Sequence, residues 1–233
     1  MTNHWIDLRN SDCVMIIGSN AAENHPISFK WVTAAMERGA KLISVDPRFT
    51  RTSSKANIYA PIRSGTDIAF VGGMVRYILN DMQSLSPAER AEKYNLTYLT
   101  QYTNAALIID SGFESWKDPS HPGLFVGFTE DSTDAPSTLG GYDKSKWKYA
   151  NPAKPGTDGT LLSNTWTKWS DLDPKCVLRL LWENYEDFTP DVVEKVTGCP
   201  QSTFEQVCEA YAATGAPGKA GTITVSYTHL TLP

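Results

Sequence analysis

Two short apolar runs near the start of the chain, "CVMII" (13–17) and "KLISV" (41–45), limit the folds open to it more than any other feature. The first is closed by Gly18, Ser19 and Asn20, as a buried strand with a tight exit would be. Between them, "HPISFKWVTAAMERGA" has Pro26 suited to a first helical turn and Gly39 suited to a C-terminal stop. Phe29, Val32, Thr33 and Met36 recur at helical spacing and are expected to face the sheet. Strand, helix and strand over about 30 residues make a βαβ unit, with parallel strands and a right-handed crossover.

The pattern continues. "NIYAPIR" (57–63) reads as a third extended segment, and "GTDIAFVGGMVRYILNDM" starts a helix that Thr66 or Asp67 is placed to cap. Its apolar stripe is expected at Ile68, Val71, Val75, Ile78 and Leu79, and "SPAERAEKY" adds a short capped helix. From Asp110 to Asp171 the chain turns rich in Gly, Pro, Ser, Asp and Trp. Trp116, Trp147, Trp166 and Trp169 argue against simple disorder there, so the stretch reads as an ordered surface insertion. Helical patterning returns in "CVLRLLWENYEDF", "TPDVVEKVTG" and "QSTFEQVCEAYAAT", the last ending at Gly215. The expected fold is α/β, a Rossmann-like parallel sheet with a loop-rich insertion and C-terminal helices. Its expected divisions are 1–109, 110–171, 172–223 and a tail at 224–233.

Composition removes several function classes. A net charge of -5 over 233 residues, with no basic run, gives no electrostatic footprint for nucleic acid. No apolar stretch approaches the roughly 20 residues that span a bilayer, and the first residues do not read as a signal peptide. Cys13, Cys176, Cys199 and Cys208 show neither a CxxC pair nor ligand spacing, so they read as small packed hydrophobes and no metal site is expected.

Three strand exits then line up: Gly18-Ser19-Asn20, Asp46-Pro47-Arg48, and Arg63 to Asp67. In an open parallel sheet the carboxyl ends of the strands form the ligand crevice. Gly18 and Gly65 permit close backbone approach, and the second precedes a helix N-terminus that favours phosphate. Asp46 can accept hydrogen bonds from ribose hydroxyls or the N–H edge of guanine, and Arg48 can fork onto a phosphate. These residue types point to an extended nucleotide. The fingerprint G-x-G-x-x-G and the Walker A loop are both absent from the sequence. A purely structural reading stays open beside this one, in which Asp46-Pro47 closes a turn and Asn20 caps a helix.

The series "GSNAAENHP … VDPRFTRT … PIRSGTDIA" resembles the catalytic subunit of molybdenum- or tungsten-dependent formate dehydrogenases, in the molybdopterin oxidoreductase family. The likeness continues more loosely through "YTNAALI", "GYDKSKWKY" and "TPDVVEKVTGCPQSTFEQVCEAYAATGAPGKAGTI", nearly the whole chain to Ile223. The resemblance implies that the three exits hold part of a molybdopterin guanine dinucleotide. The implied residues are Gly18, Asn20, Glu23 and Asn24, then Val45, Asp46 and Arg48, then Gly65 and Asp67.

The resemblance also implies an internal piece of a longer subunit. The [4Fe-4S] cluster domain, the selenocysteine or cysteine that ligates the metal, and the active-site histidine would lie upstream, so His25 is not that histidine. No catalytic residue is expected within the chain, and the piece by itself is expected not to turn over formate. Formate as substrate, an iron–sulfur electron-transfer subunit as partner, and a periplasmic or alternatively cytoplasmic location are implied for the whole enzyme. The alternatives are another molybdopterin oxidoreductase acting on nitrate or a similar oxyanion, and a non-catalytic nucleotide-binding module. The end, "TVSYTHLTLP", looks like translated adaptor sequence, and Thr224 to Pro233 are expected to make few contacts. Lost neighbours are expected to leave the tryptophan-rich stretch without packing partners and an apolar patch exposed.

Overall fold

Alternation along the first strand decides which layer each side chain joins. The computed structural model describes residues 4–110, 128–129, 141–142, 149 and 159–225. Strand β1 (Cys13–Ile17) is buried throughout, with Cys13, Met15 and Ile17 in one apolar cluster and Val14 and Ile16 in another. Strand β2 (Lys41–Val45) splits likewise, Ile43 and Val45 joining the first cluster and Leu42 the second. A strand buried on both faces needs helices on both sides, and the chain supplies them.

Helix α1 (Ala21–Asn24) and helix α2 (Pro26–Glu37) lie between β1 and β2 in the chain. Val32, Phe29, Trp31 and Met36 cover the Val14–Leu42 face. Thr33 does not face the sheet as its spacing suggested. It is exposed and donates its hydroxyl to the Phe29 carbonyl at 3.2 Å, while Ser28 and Ala35 take buried positions. Strand β3 (Ile58–Ala60) follows β2.

The opposite face is covered by helix α3 (Asp67–Ser84), helix α8 (Pro190–Thr197) and helix α9 (Gln201–Ala212), whose Phe70, Met74, Val193, Phe204 and Val207 share the Met15–Ile43 cluster. Here the expected stripe of α3 holds only in part: Leu79 is buried and Val75 and Ile78 are half-buried. Ile68 and Val71 are exposed, and the buried face runs through Phe70, Gly73, Met74 and the half-buried Tyr77. Glycine is the reason. A Cβ on Gly72 would meet the Phe188 ring at 2.8 Å, and one on Gly73 would overlap Val193 and approach Phe204 to 2.9 Å. Neighbouring side chains therefore seat against the α3 backbone.

Helix α4 (Pro87–Lys93) is capped as expected, and the cap is a capping box: the Ser86 hydroxyl accepts the Glu89 N–H while the Ser86 N–H donates to Glu89. Its Arg90 is fully buried and donates to the Met82 and Leu85 carbonyls, closing the end of α3.

Strand β6 (Gly221–Val225) completes a four-stranded parallel sheet in the order β3-β2-β1-β6. Thr224 and Val225 pair opposite Ile16 and Ile17, so the stretch expected to hold few contacts begins inside a strand. Residues 226–233 lie outside the described residues.

Contacts divide the chain into two units. One comprises Met1–Asn95 with Asn184–Pro233, and holds the sheet; the other is Leu96–Glu183. The second contains helix α5 (Leu96–Tyr102), the antiparallel pair β4 (Phe128–Thr129) and β5 (Gly141–Tyr142), helix α6 (Gly159–Ser163) and all but the last residue of helix α7 (Val177–Asn184). Trp166 and Trp169 were expected to lack partners, yet both are buried, stacked at 4.4 Å with Trp182 at 6.4 Å from the second ring. Trp116 and Trp147 lie outside the described residues. Among the described residues, no helix is long and apolar enough to cross a membrane.

Candidate functional site

Register places the three exits on one edge of the sheet. Ile17 lies opposite Val45 and Val45 opposite Ala60, so the chain leaves β1, β2 and β3 side by side. β1 lies between β2 and β6, and the crossover helices of the two connections cover opposite faces. That makes the carboxyl end of β1 a topological switch point, where open α/β sheets leave a crevice.

At the first exit Gly18 turns with φ +60 and donates its N–H to the Val45 carbonyl at 2.9 Å. Asn20 is committed: its carbonyl oxygen accepts the N–H and hydroxyl of Thr52, both at 3.3 Å, and its amide nitrogen donates to Glu23. Thr52, wholly buried, also accepts the Ala22 N–H at 3.0 Å. Glu23 lies 4.0 Å from Arg51 in an exposed pair worth about 0–1 kcal/mol, and Asn24 is exposed.

At the second exit Asp46 is buried, and its Oδ1 accepts the Arg48 N–H at 2.8 Å across rigid Pro47. A carboxylate offers about four lone-pair sites, so acceptor capacity remains. Tyr59 donates its hydroxyl to the Asp46 carbonyl at 3.1 Å. Burial first, and the Asp46 charge second, hold that hydroxyl above its ordinary pKa, which keeps it a donor. The hydroxyls beyond are consumed internally: the Ser53 hydroxyl lies 3.0 Å from that of Ser44 and 3.1 Å from that of Thr50. The Arg48 side chain is exposed, and its guanidinium makes no hydrogen bond among the described residues.

The third exit is anchored differently. Arg63 donates its N–H to Thr197 and its guanidinium to the Lys195 and Val196 carbonyls at 2.8 and 3.0 Å, capping the end of α8. Thr66 stands at the N-cap of α3, but its hydroxyl donates to the Arg63 carbonyl at 2.6 Å and caps nothing. Gly65 turns with φ +80, and the space a Cβ would take is open. Asp67 opens α3, where negative charge complements the helix dipole. Hydrogen bonds thus tie the first two exits together through Thr52, whereas the third is anchored through Arg63 to the end of α8.

Sequence reading missed Thr52, and placed Arg63 in the third exit without its partners on α8. The hydroxyl run "TRTSS" was visible, but its partner Asn20 lies 32 residues away. Chemically, the edge offers carboxylate acceptors at Glu23, Asp46 and Asp67, an uncommitted guanidinium at Arg48 and two open glycine turns. Cysteine chemistry belongs elsewhere. All four thiols are buried, and burial pushes Cys13 and Cys199 up to about 11 and Cys208 higher still.

Comparisons with known proteins place this chain in a family. Residues 1–120 match the family model described as molybdopterin oxidoreductase. The chain is 44% identical over 225 residues to "Formate dehydrogenase subunit alpha" of Megalodesulfovibrio gigas, covering 96% of this chain and 19% of that protein. It is 41% identical over 225 residues to "Formate dehydrogenase, nitrate-inducible, major subunit" of Escherichia coli strain K12, covering 95% of this chain and again 19% of the relative. The chain therefore spans about a fifth of the length of these relatives. Among solved structures, acetylene hydratase from Pelobacter acetylenicus superposes with a TM-score of 0.51 at 20% identity, over 94% of this chain and 18% of that one, a likeness of fold. With a family match over more than half of its residues and a relative 44% identical across nearly all of it, this chain belongs to the molybdopterin oxidoreductase family.

Proposed function

We propose that this chain is part of the catalytic subunit of a formate dehydrogenase, and that its strand exits hold one molybdopterin guanine dinucleotide. The observation that carries the reading is the paired first and second exit, with a buried acceptor at Asp46 beside an uncommitted guanidinium at Arg48. The residues fit such a group. Gly65 leaves open the space a side chain would fill, and Gly18 turns with positive φ at the switch point. Asp46 would accept from guanine N–H or ribose hydroxyl groups, and Arg48 would fork onto phosphate. Glu23 and Asp67 would add acceptors, and Asn24 would offer its exposed amide. Asn20, tied to Thr52, would act chiefly by fixing the shape of the first exit, and Val45 by holding Gly18 through its carbonyl.

When bound, the cofactor with its molybdenum or tungsten supplies the two-electron oxidation of formate to carbon dioxide and a proton. The share of this chain is to bind and orient it. The [4Fe-4S] cluster and an iron–sulfur partner subunit that receives the electrons belong to the same reading. The test is Asp46→Ala in the complete catalytic subunit. Losing a hydrogen bond to a charged group costs about 1.5–3 kcal/mol, roughly tenfold to a hundredfold in affinity. Pterin content, read from the fluorescence of the released and oxidised pterin, is expected to fall. Full content in that variant would remove Asp46 from the site.

A further inference from the structure

The second half of α3 and the segment entering α8 enclose a cleft of about 290 Å³, lined by Gly73, Arg76, Tyr77, Asp81, Phe188 and Pro190 among others. Arg76 lies nine residues past Asp67, about 13 Å down the helix at ~1.5 Å per residue, so the cleft is separate from the strand exits. Phe188 forms a wall over Gly72, seated against the α3 backbone as described above.

Arg76 lines the cleft, and its Nη1 is buried with no hydrogen-bond partner among the described residues. Folded proteins pair nearly all such donors, because a buried one left unpaired is costly. The neighbouring carboxylates are engaged elsewhere. Asp81 accepts from Lys93 at 2.9 Å and from the Tyr94 hydroxyl at 2.6 Å. Asp191 is held below the usual carboxylate range, first by the Thr189 hydroxyl, then by backbone N–H groups at the start of α8, and last by the Arg76 charge. It forms no ion pair with Arg76.

We propose that this cleft binds a carboxylate carried on an apolar body. The Arg76 guanidinium forks onto the carboxylate, while Tyr77, Phe188 and Pro190 pack the remainder. A volume of about 290 Å³ sits at the small end of ligand sites, the size of a compact acid or a single side chain with its neighbours. Charge selects a monoanion: a phosphate dianion would meet one guanidinium with Asp81 in the same lining. The carboxylate can come from a free small acid or from a Glu or Asp side chain of a polypeptide segment.

The test titrates the 233-residue chain with benzoate, with its neutral isostere benzamide, and with the capped dipeptide acetyl-Phe-Glu-amide. Calorimetry gives affinity, and the Arg76 side-chain NMR resonance gives location. Benzoate or the peptide is expected to shift that resonance, with benzamide about tenfold weaker or more. Arg76→Met is expected to lose about tenfold or more, and Arg76→Lys, which keeps the charge without the fork, to lose less. A tighter peptide assigns the site to a polypeptide carboxylate, and tighter benzoate to a free acid; either supports the proposal. Benzamide needs no variant, so the comparison survives a misfolded substitution. Equal binding of benzoate and benzamide, unchanged affinity in Arg76→Met, or an Arg76 resonance that reports ordered water alone would overturn it.

Discussion

Asp12, one residue before β1, joins the two strands that flank the switch point to one another. Its carboxylate accepts from the Ala220 N–H at 2.9 Å and from Lys219 at 3.0 Å, and its carbonyl accepts the Lys41 N–H at 3.0 Å. The Ala220 backbone bond first, and Lys219 after it, hold this carboxyl below its ordinary value. A depressed acid contributes stability above its unfolded pKa of about 3.9 and loses it as pH falls through the lower folded value. Asp12→Asn is therefore expected to lower stability at neutral pH, and the gap from the parent chain to shrink below about pH 4. Denaturant titrations from acid to neutral pH check this. A gap independent of pH would detach Asp12 from β6.

At the scale of elements, α3 shows how far pattern reading reaches. Alanine normally stabilises a helix interior over glycine by about 1 kcal/mol. At Gly73 the sign is expected to reverse, because the added methyl would overlap Val193 and crowd Phe204. Overpacking of this kind costs about 1–3 kcal/mol, so Gly73→Ala is expected to destabilise, measured by thermal or denaturant unfolding. The same glycines explain the partly misread stripe. Apolar spacing picks out large side chains on the helix itself, but this face is filled by Phe188, Val193 and Phe204 from residues more than a hundred positions away. By contrast, β1, α2 and β2 were legible to within a residue or so, because local apolar runs, Pro26 and Gly39 set their limits. The same division holds at the candidate site. Gly18, Asp46 and Gly65 announce themselves by residue type at strand exits. Thr52 and Arg63 act through partners on distant segments, Asn20 and the end of α8, which no local pattern reveals.

At the scale of the whole molecule, three of the four most exposed large apolar side chains among the described residues lie at the strand exits. Ile27 in the first turn of α2, Phe49 beyond the Asp46 turn and Ile68 in the first turn of α3 are 75%, 63% and 80% exposed. Topology sets all three at the carboxyl edge of the sheet, and Phe49 meets Tyr59 edge-on at 5.1 Å. Single exposed apolar residues are ordinary, whereas several at one edge mark a surface meant to be covered. The chain spans 19% of the length of the Megalodesulfovibrio gigas relative, so under the proposed function further polypeptide of such a subunit, or its cofactor, would cover this edge. The 233-residue chain on its own is thus expected to bind an environment-sensitive hydrophobic dye. Replacing Ile27, Phe49 and Ile68 together by Gln should reduce that fluorescence while moving each residue's stability share by no more than about 0.5 kcal/mol. Replacing the exposed Tyr98 and Tyr102 of the second unit by Gln serves as the control and should leave most of the signal. The buried Trp166 and Trp169 are shielded from the dye in either case. Dye binding that survives the triple substitution but falls in the control would move the unpartnered surface away from the strand exits, the edge proposed above for the cofactor.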